Sequence, residues 1–233
     1  YENTMIQSNL IHGAYVNKIY NLLFLGSSCI YPKENIFPIS EDALLTGSLE
    51  ETNEPYAIAK IAGIKMCKYY NKQYSTSFRS VMPTNLYGEK DNFDEFEGHV
   101  IPSLISKFNR AVKQNDTEIV IWGTGRPLRE FMHVDDMADA CIHVINLKDE
   151  EYKNISHINI GTGLEISIKD LALLISKISG FNGKIIFDKS KPDGTMRKLL
   201  DVSLLNKLGW KSSINLESGL IRTYNWFQKN YVL

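Results

Sequence analysis

Apolar runs and helix-spaced apolar positions alternate along the whole chain. Residues 22–25 form a continuous apolar run closed by Gly26, which is typical of a buried parallel strand. Residues 78–82 form a second predicted strand, stopped by Pro83. Further strands are predicted at 118–121, 158–160 and 184–187. Helices are predicted over an opening stretch that ends near Val16 and over 54–74, 101–112, 135–147, 168–178 and 216–227.

This alternation of strands and helices predicts an α/β protein with a doubly wound parallel sheet. The second half of the chain has a more mixed pattern, which predicts a smaller lobe threaded through the sheet domain. We assign residues 1–100 and 130–162 to the sheet domain and residues 101–129 and 163–233 to the lobe.

The composition argues against several classes of protein. The apolar share of 43% and the charged share of 23% are typical of a soluble globular protein. With 26 basic and 27 acidic residues, the chain lacks the basic excess that nucleic-acid binding leaves. There is no apolar run of about 18 residues, so no membrane segment is expected. The three cysteines show no CxxC or zinc-ligand spacing, so no disulfide framework or metal is expected and a reducing cytoplasm is favoured.

The first chemical pattern is Tyr56-Ala-Ile-Ala-Lys60, near the start of a predicted helix. Residues four apart share one helix face, so the Lys60 ammonium is expected beside the Tyr56 phenol. The positive charge is expected to lower the pKa of Tyr56 and make it a proton donor to a carbonyl oxygen. The alternative is a chance pair, because Tyr and Lys are both common in this chain.

Hydroxyl and thiol groups follow the first predicted strand. Ser27, Ser28 and Cys29 come directly after Gly26, and ligands of open α/β sheets bind beyond the carboxyl ends of the strands. A serine hydroxyl here is expected to hydrogen-bond the same carbonyl oxygen that Tyr56 protonates. The alternative is an ordinary Gly-Ser turn.

Two more candidates follow the second predicted strand. The loop 83–88 is expected to lie across the same crevice and to fix a cofactor amide through its backbone, or else to be a plain strand-ending loop. His99 follows a flexible acidic stretch, 91–98, and precedes a helix. Its imidazole can donate a proton near neutral pH, whereas the alternative is a surface or packing histidine.

Two loops of the second half combine cations with turn residues. In the first, Trp122 offers a stacking surface and Arg129 a bidentate partner for a diphosphate. The alternative is a β-hairpin loop in which Asp135 or Asp136 caps the next helix. Residues 189–198 form the second loop, which is either an anion clamp or a solvated turn.

Together these segments resemble the extended short-chain dehydrogenase/reductase family, and within it the enzymes that epimerise and reduce a GDP-linked keto sugar. The cysteine directly after the serine pair and the downstream histidine are the specific marks. The matching motifs run through the chain in order: Leu25-Gly-Ser-Ser-Cys-Ile-Tyr-Pro-Lys33, Thr52-Asn-Glu-Pro-Tyr-Ala-Ile-Ala-Lys60, Ser80-Val-Met-Pro-Thr-Asn-Leu-Tyr-Gly88, His99-Val-Ile-Pro102, Arg129-Glu-Phe-Met-His-Val-Asp-Asp-Met137, Asn159-Ile-Gly-Thr-Gly163 and Lys191-Pro-Asp-Gly-Thr195.

The resemblance implies a Rossmann-like fold and an NADPH-dependent 3,5-epimerisation and 4-reduction of GDP-4-dehydro-6-deoxy-D-mannose to GDP-L-fucose. It implies that Tyr56 is the proton donor, that Lys60 holds the nicotinamide ribose and tunes Tyr56, and that Ser27 binds the C4 carbonyl. Cys29 and His99 are implied as the base and acid that epimerise C3 and C5.

The resemblance also implies the binding residues and the partners. The chain is expected to bind NADP(H) and a GDP-sugar, to hold no metal, and to form a homodimer through helices such as 54–74 and the one near residue 101. The implied cofactor contacts are Leu25, Gly26, Ser27, Ser28, Tyr56, Lys60, Pro83, Thr84, Asn85, Leu86 and His99. The implied substrate contacts are Lys107, Trp122, Arg129 and Asp193.

One feature of that family is absent from the sequence. The glycine-rich strand–turn–helix that grips the cofactor pyrophosphate does not occur. We therefore expect that about 80 residues, roughly two βαβ units, precede Tyr1 in the whole protein, that the sheet is incomplete, and that this chain alone has no reductase turnover. The alternatives are a nucleotide-sugar 4-epimerase, a 4,6-dehydratase, which the lack of an acidic pair near Ser27 disfavours, and an inactive binding protein.

Overall fold

The computed structural model describes residues 1–231, which form two compact units. The first unit comprises residues 1–84, 136–163 and 199–212, and the second comprises 85–135, 164–198 and the segment from 213 onward. The helices are α1 (Glu2–Val16), α2 (Glu54–Tyr74), α3 (Val100–Gln114), α4 (Val134–Ile145), α5 (Asp149–Tyr152), α6 (Ile168–Ser179), α7 (Ser203–Lys207) and α8 (Leu216–Asn230). The strands are β1 (Asn21–Leu25), β2 (Ser77–Pro83), β3 (Asn85–Tyr87), β4 (Glu118–Trp122), β5 (Leu128–Arg129), β6 (Phe131–His133), β7 (Ile158–Ile160), β8 (Ile166–Ser167), β9 (Lys184–Asp188) and β10 (Arg197–Lys198).

The first unit is built on a parallel sheet of strand order β1-β2-β7. Helix α2 packs against β1 and β2, and α1 packs against α2. The apolar face of α2, which includes Ile64, joins Phe24 of β1 and Phe78 of β2 in one buried cluster. A parallel α/β sheet was the predicted fold class, and the structure confirms it.

Two polar side chains fix β2 in this unit. Asn71 of α2 donates an amide hydrogen to the Phe78 carbonyl (2.6 Å) and accepts the Phe78 amide hydrogen (2.7 Å), so it pairs with the strand as another backbone would. Arg79 is 3% exposed and donates to the carbonyl oxygens of Val144 and Leu147 at the end of α4. These bonds offset part of the cost of burying the guanidinium, whose Nε has no hydrogen-bond partner among the described residues.

The long segment between β1 and α2 is held by a buried polar network. The Tyr31 hydroxyl donates to Asn159 Oδ1 and hydrogen-bonds His157 Nε2 at 3.0 Å. The Asn159 amide donates in turn to the Ile39 carbonyl at 2.9 Å. Burial lowers the pKa of His157 to about 4, so the imidazole is neutral near pH 7. The network anchors the segment only two residues beyond Cys29.

The second unit contains three small sheets around a separate core. Strand β3 pairs with β6 and β4 pairs with β9, both in parallel, while β10-β5-β8 form a mixed sheet. Helices α3, α6 and α8 pack together through buried side chains such as Phe108, Leu171 and Phe227. The strands β3, β5, β6, β8 and β10 have only two or three residues each, and the sequence pattern predicted none of them.

The predicted helix cap at Asp135 or Asp136 is wrong. Both residues lie inside α4, which begins at Val134 directly after β6. The His133 imidazole accepts the Asp135 amide hydrogen at 3.2 Å, so the histidine takes the capping role. The Asp135 carboxylate instead pairs with Arg222 at 2.5 Å.

The division into a cofactor domain and a substrate lobe stays a prediction, because compactness does not identify a ligand. Within residues 1–231, no helix is both long enough and apolar enough to cross a membrane.

The contact between α2 and β1 predicts a sharp difference between two helical glycines. A methyl group at Gly63 would overlap with the Phe24 ring, whereas one at Gly13 of α1 has no heavy atom within 4 Å. Gly63→Ala should therefore destabilise the protein by about 1–3 kcal/mol through overpacking. Gly13→Ala should stabilise it by about 0.5–1 kcal/mol through helix propensity. Urea unfolding of both variants measures the difference, and equal effects would contradict the close approach of α2 to β1.

Candidate active site and nucleotide pocket

The carboxyl end of β1 presents a tight turn of small polar residues. Gly26 donates its amide hydrogen to the Val81 carbonyl at 2.9 Å, and a Cβ there would overlap with the Met82 side chain. A larger residue at this step would force the end of the Met82 side chain to move. Ser27 then accepts the Cys29 amide hydrogen at 3.3 Å and caps a short 3₁₀ turn, Ser28–Ile30. The Ser27 and Cys29 side chains therefore leave the backbone within the same short turn.

Helix α2 brings Tyr56 and Lys60 to this turn. The Lys60 ammonium donates to the Leu25 carbonyl at 3.0 Å and lies 5.7 Å from the centroid of the Tyr56 ring. The Ser27 side chain lies near the Tyr56 phenol and acts to lower its pKa. Four predicted catalytic residues, Ser27, Cys29, Tyr56 and Lys60, thus lie together in the first unit, and Leu25, Gly26 and Ser28 belong to the same turn.

The electrostatics differ from the sequence-based expectation. Burial raises the pKa of Tyr56, with a further rise from the nearby Cys29 and a partial offset from the Ser27 hydrogen bond. Burial also lowers the pKa of Lys60. The expected lowering of the Tyr56 pKa is wrong for this structure, because burial of the phenol disfavours the charged phenolate and is the largest influence on its pKa. Tyr56 therefore holds its proton at neutral pH.

The remaining predicted cofactor residues divide between the units. Pro83 ends β2, and the next residue, Thr84, donates its amide hydrogen to the Ile160 carbonyl at 3.0 Å in the first unit. Asn85 and Leu86 lie in β3 of the second unit, where the Asn85 amide donates to the Glu130 carbonyl at 2.8 Å. His99 also belongs to the second unit, as the exposed residue that precedes α3.

The four predicted substrate residues meet at one cavity of about 370 Å³ in the second unit. Lys107 and Arg129 supply cations, and the Trp122 side chain is 62% exposed beside them. Burial lowers the pKa of both Lys107 and Arg129. The cavity is lined by Glu95, Phe96, Gly98, Val100, Ser103, Leu104, Lys107, Ile121, Trp122, Gly125, Pro127, Arg129, Ile168, Pro192, Asp193 and Gly194. Cations beside an aromatic and apolar wall suit an anionic ligand with a planar or sugar ring.

Asp193 lines this cavity and holds the opposite loop. Its carboxylate accepts the Thr124 amide hydrogen at 2.8 Å and the Thr124 hydroxyl hydrogen at 2.6 Å. These bonds, with the nearby Arg126 and Arg129, lower the pKa of Asp193. Gly123, with φ +85°, leaves the space that the carboxylate occupies.

The segment 91–98 was predicted as a flexible stretch, and the structure corrects this. Phe93 is buried among aromatic residues of the second core, and Asp94 accepts the amide hydrogens of Phe96 and Glu97 at 2.8 Å each. The Asp94 carbonyl also accepts the Gly98 amide hydrogen. The segment is an ordered turn that forms one wall of the cavity. Its signal in the sequence was the pattern of Asn, Asp and Gly around two phenylalanines, which is typical of an ordered turn.

Comparison with known proteins identifies the family. The model of the NAD dependent epimerase/dehydratase family matches residues 1–161. The chain belongs to the NAD dependent epimerase/dehydratase family. A GDP-L-fucose synthase of Escherichia coli (strain K12) is 56% identical over 99% of this chain and 73% of its own length. A putative GDP-L-fucose synthase 2 of Arabidopsis thaliana is 53% identical over 99% of the chain and 69% of its own length.

A solved structure agrees with this family assignment. The GDP-L-fucose synthetase of Naegleria fowleri bound to NADP superimposes with a TM-score of 0.90 at 30% identity, covering 98% of this chain and 72% of that one. The Rossmann-like class that the sequence predicted is therefore confirmed.

The residues at the end of β1 fit a nicotinamide nucleotide, as an epimerase/dehydratase family member requires. An ammonium has three N–H groups, so Lys60 can hold the Leu25 carbonyl and still donate to ribose hydroxyls. Ligands of such sheets bind at this end of the strands. Among residues 1–231, no group of three or more His, Cys, Asp or Glu side chains is arranged to hold a metal ion.

The raised pKa of Tyr56 leads to a testable titration. We expect the phenol to ionise at a higher pH than free tyrosine, because burial disfavours the phenolate. NMR of the protein labelled at tyrosine Cζ measures the midpoint, and Tyr56→Phe assigns the signal. A midpoint below that of free tyrosine would restore the original expectation that Lys60 dominates.

Proposed function

We propose that the protein catalyses the NADPH-dependent 3,5-epimerisation and 4-reduction of GDP-4-dehydro-6-deoxy-D-mannose to GDP-L-fucose. The observation that supports this most is the turn after β1. Ser27 and Cys29 leave this turn near the Tyr56 phenol, and Lys60 lies on the same helix face as Tyr56. The identity of 56% to a GDP-L-fucose synthase points to the same reaction.

Epimerisation needs a stabilised carbonyl and a group that moves protons at the neighbouring carbons. Ser27 and Tyr56 supply two O–H donors to the C4 oxygen, which stabilise the negative charge that develops when a proton leaves C3 or C5. We assign Cys29 and His99 as the base and acid that remove a proton from one face of each carbon and return one to the other. The oxygen charge is neutralised again when the carbon is reprotonated.

Reduction uses the same oxygen. NADPH, when bound, supplies the hydride to C4. Tyr56 donates its proton to the C4 oxygen, and its raised pKa keeps that proton in place until the oxygen becomes basic. Lys60 would hold the ribose, while Leu25 to Ser28 and the segment from Pro83 to Leu86 would line the cofactor.

The cavity of the second unit supports a nucleoside diphosphate sugar as substrate. Arg129 offers a planar pair of donors for a diphosphate, and Lys107 offers a point charge. Trp122 offers a flat surface for stacking. We assign these three residues to substrate binding, with Asp193 holding the loop that lies between Trp122 and Arg129.

The decisive experiment separates epimerisation from hydride transfer. Cys29→Ser and His99→Gln should each lower the exchange of solvent deuterium into C3 and C5 by about 10²–10⁴-fold, the usual contribution of general acid–base catalysis. Reduction of a pre-epimerised substrate should remain, because Ser27, Tyr56 and Lys60 are intact. In a protein whose unsubstituted form reduces the substrate, mass spectrometry of the product in D₂O measures exchange and NADPH absorbance measures reduction.

Tyr56→Phe is the matched control, and it should abolish reduction. Undiminished exchange in both the Cys29 and His99 variants would reject the epimerase assignment and favour a simple 4-epimerase or reductase. Loss of both activities in every variant would show that the variants do not separate the two steps, and would reject the division of roles.

We also propose that the protein is a homodimer of the cytoplasm. The three cysteines, all within residues 1–231, form no disulfide, as is usual in a reducing compartment. Helix α1 exposes Ile6, Leu10 and Val16 at 60% or more. Helix α3 instead buries most of its apolar residues in its own unit. An exposed apolar face on α1, continued by Ile58 of α2, suits a second copy of the chain.

Leu10→Glu should convert the dimer into a monomer, because it places a charge in the apolar face of α1. Val112→Glu on α3 is the matched control and should leave the dimer intact, since Val112 is only 36% exposed and lies on another helix. Light scattering after size-exclusion chromatography reports the mass. A monomeric wild-type protein, or a dimeric Leu10→Glu variant, would contradict the proposed surface.

A further inference from the structure

A carboxylate lies in the wall of the cavity that we assign to a diphosphate. Glu95 lines the cavity together with Lys107 and Arg129. A free carboxylate at this place would repel the phosphates and would compete with them for the cations. The structure must therefore neutralise this group if the cavity binds an anion.

Arg110 of α3 pairs with both oxygens of that carboxylate. Its Nε lies 2.7 Å from Glu95 Oε1, and its Nη2 donates to Oε2 at 3.1 Å. The Glu95 side chain is 15% exposed and the Arg110 side chain 41%, so the pair lies partly in the protein and the guanidinium approaches from outside the cavity. The Ser103 hydroxyl donates to the Glu95 carbonyl at 2.7 Å and fixes the backbone at the same point.

Lys107 is a second cation within electrostatic reach of the Glu95 carboxylate. Its ammonium donates to the Val120 carbonyl at 3.0 Å, which holds it at the cavity wall. Glu95 raises the pKa of Lys107 and Arg110 lowers it, against a larger lowering by burial. The three charges are therefore within electrostatic reach of one another.

We propose that Arg110 is a positioning residue that masks Glu95, so that Lys107 and Arg129 remain free to bind the diphosphate of the substrate. This rests on the proposed function, because it presumes that the cavity binds a nucleoside diphosphate. Arg110 itself does not line the cavity. It acts through Glu95, and its removal exposes a negative charge beside Lys107.

The masking role predicts a rescue that a purely structural ion pair would not show. Arg110→Gln should weaken the binding of GDP about tenfold, because the uncovered carboxylate pairs with Lys107 and repels the phosphates. Adding Glu95→Gln should restore the affinity to within about twofold, although the ion pair is absent in both variants. The loss in Arg110→Gln should shrink at high salt, as a charge effect does and a packing defect does not.

Titration calorimetry of the whole chain with GDP, at low and high salt, measures these affinities. Glu95→Gln alone should bind GDP at least as tightly as the wild type, and this variant tests the proposal even if Arg110→Gln does not fold. Arg222→Gln is the control, because Arg222 joins Glu89 and Asp135 in an ion pair of similar exposure that does not line the cavity.

The outcomes distinguish the masking role of Arg110 from the proposed binding of a nucleoside diphosphate. If the wild type binds GDP and Arg129→Ala abolishes binding, but Arg110→Gln binds normally or the double variant is not rescued, the masking role is overturned and the substrate class stands. Weaker binding by Glu95→Gln alone would also overturn it, since Glu95 would then help to bind the ligand. No binding by the wild type would overturn the masking role and the proposed substrate together.

Discussion

The close approach of α2 to the end of β1 is the constraint on which the candidate active site depends. Gly63 lets the helix rest on the Phe24 ring, and the Lys60 ammonium spans the remaining gap to the Leu25 carbonyl. The buried apolar face of α2 sets the rotation of the helix, and with it the position of Tyr56 one turn before Lys60. At the turn after β1, Gly26 leaves room for the Met82 side chain, and Ser27 follows near the phenol. The residues that pack α2 against β1 are therefore close neighbours of the candidate catalytic residues.

In the second unit, the cations Lys107 and Arg129 must stay available to a ligand at a solvent-accessible cavity. Acidic residues surround these cations, but each has a fixed partner. Asp193 holds the Thr124 backbone and hydroxyl, and Glu95 holds Arg110. The loops are shaped by these pairs, so the cavity gains its walls and its positive character from the same interactions. Partial burial of Lys107 and Arg129 disfavours their charged forms and so lowers the pKa of both side chains.

The family assignment and the geometry are complementary. Membership of the NAD dependent epimerase/dehydratase family accounts for the Rossmann-like sheet. It does not by itself account for Cys29, whose position depends on the 3₁₀ turn that Ser27 caps. Nor does it account for the ordered turn 91–98, which the buried Phe93 and the Glu95–Arg110 pair hold against α3.

The sequence by itself determined the long elements and the identity of the chemical groups. Helix α2 has the predicted bounds, and the apolar run that became β1 needed no tertiary information, because local periodicity and glycine or proline stops were sufficient. Only the tertiary structure decided the short strands, the cap at His133 and the direction of the Tyr56 pKa. These depend on contacts between residues far apart in sequence and on burial, which raises the pKa of the phenol more than the neighbouring Ser27 lowers it. The ion pair between Arg110 and Glu95 also depends on the tertiary structure. Fifteen positions separate these residues, which meet only when the turn folds back on α3.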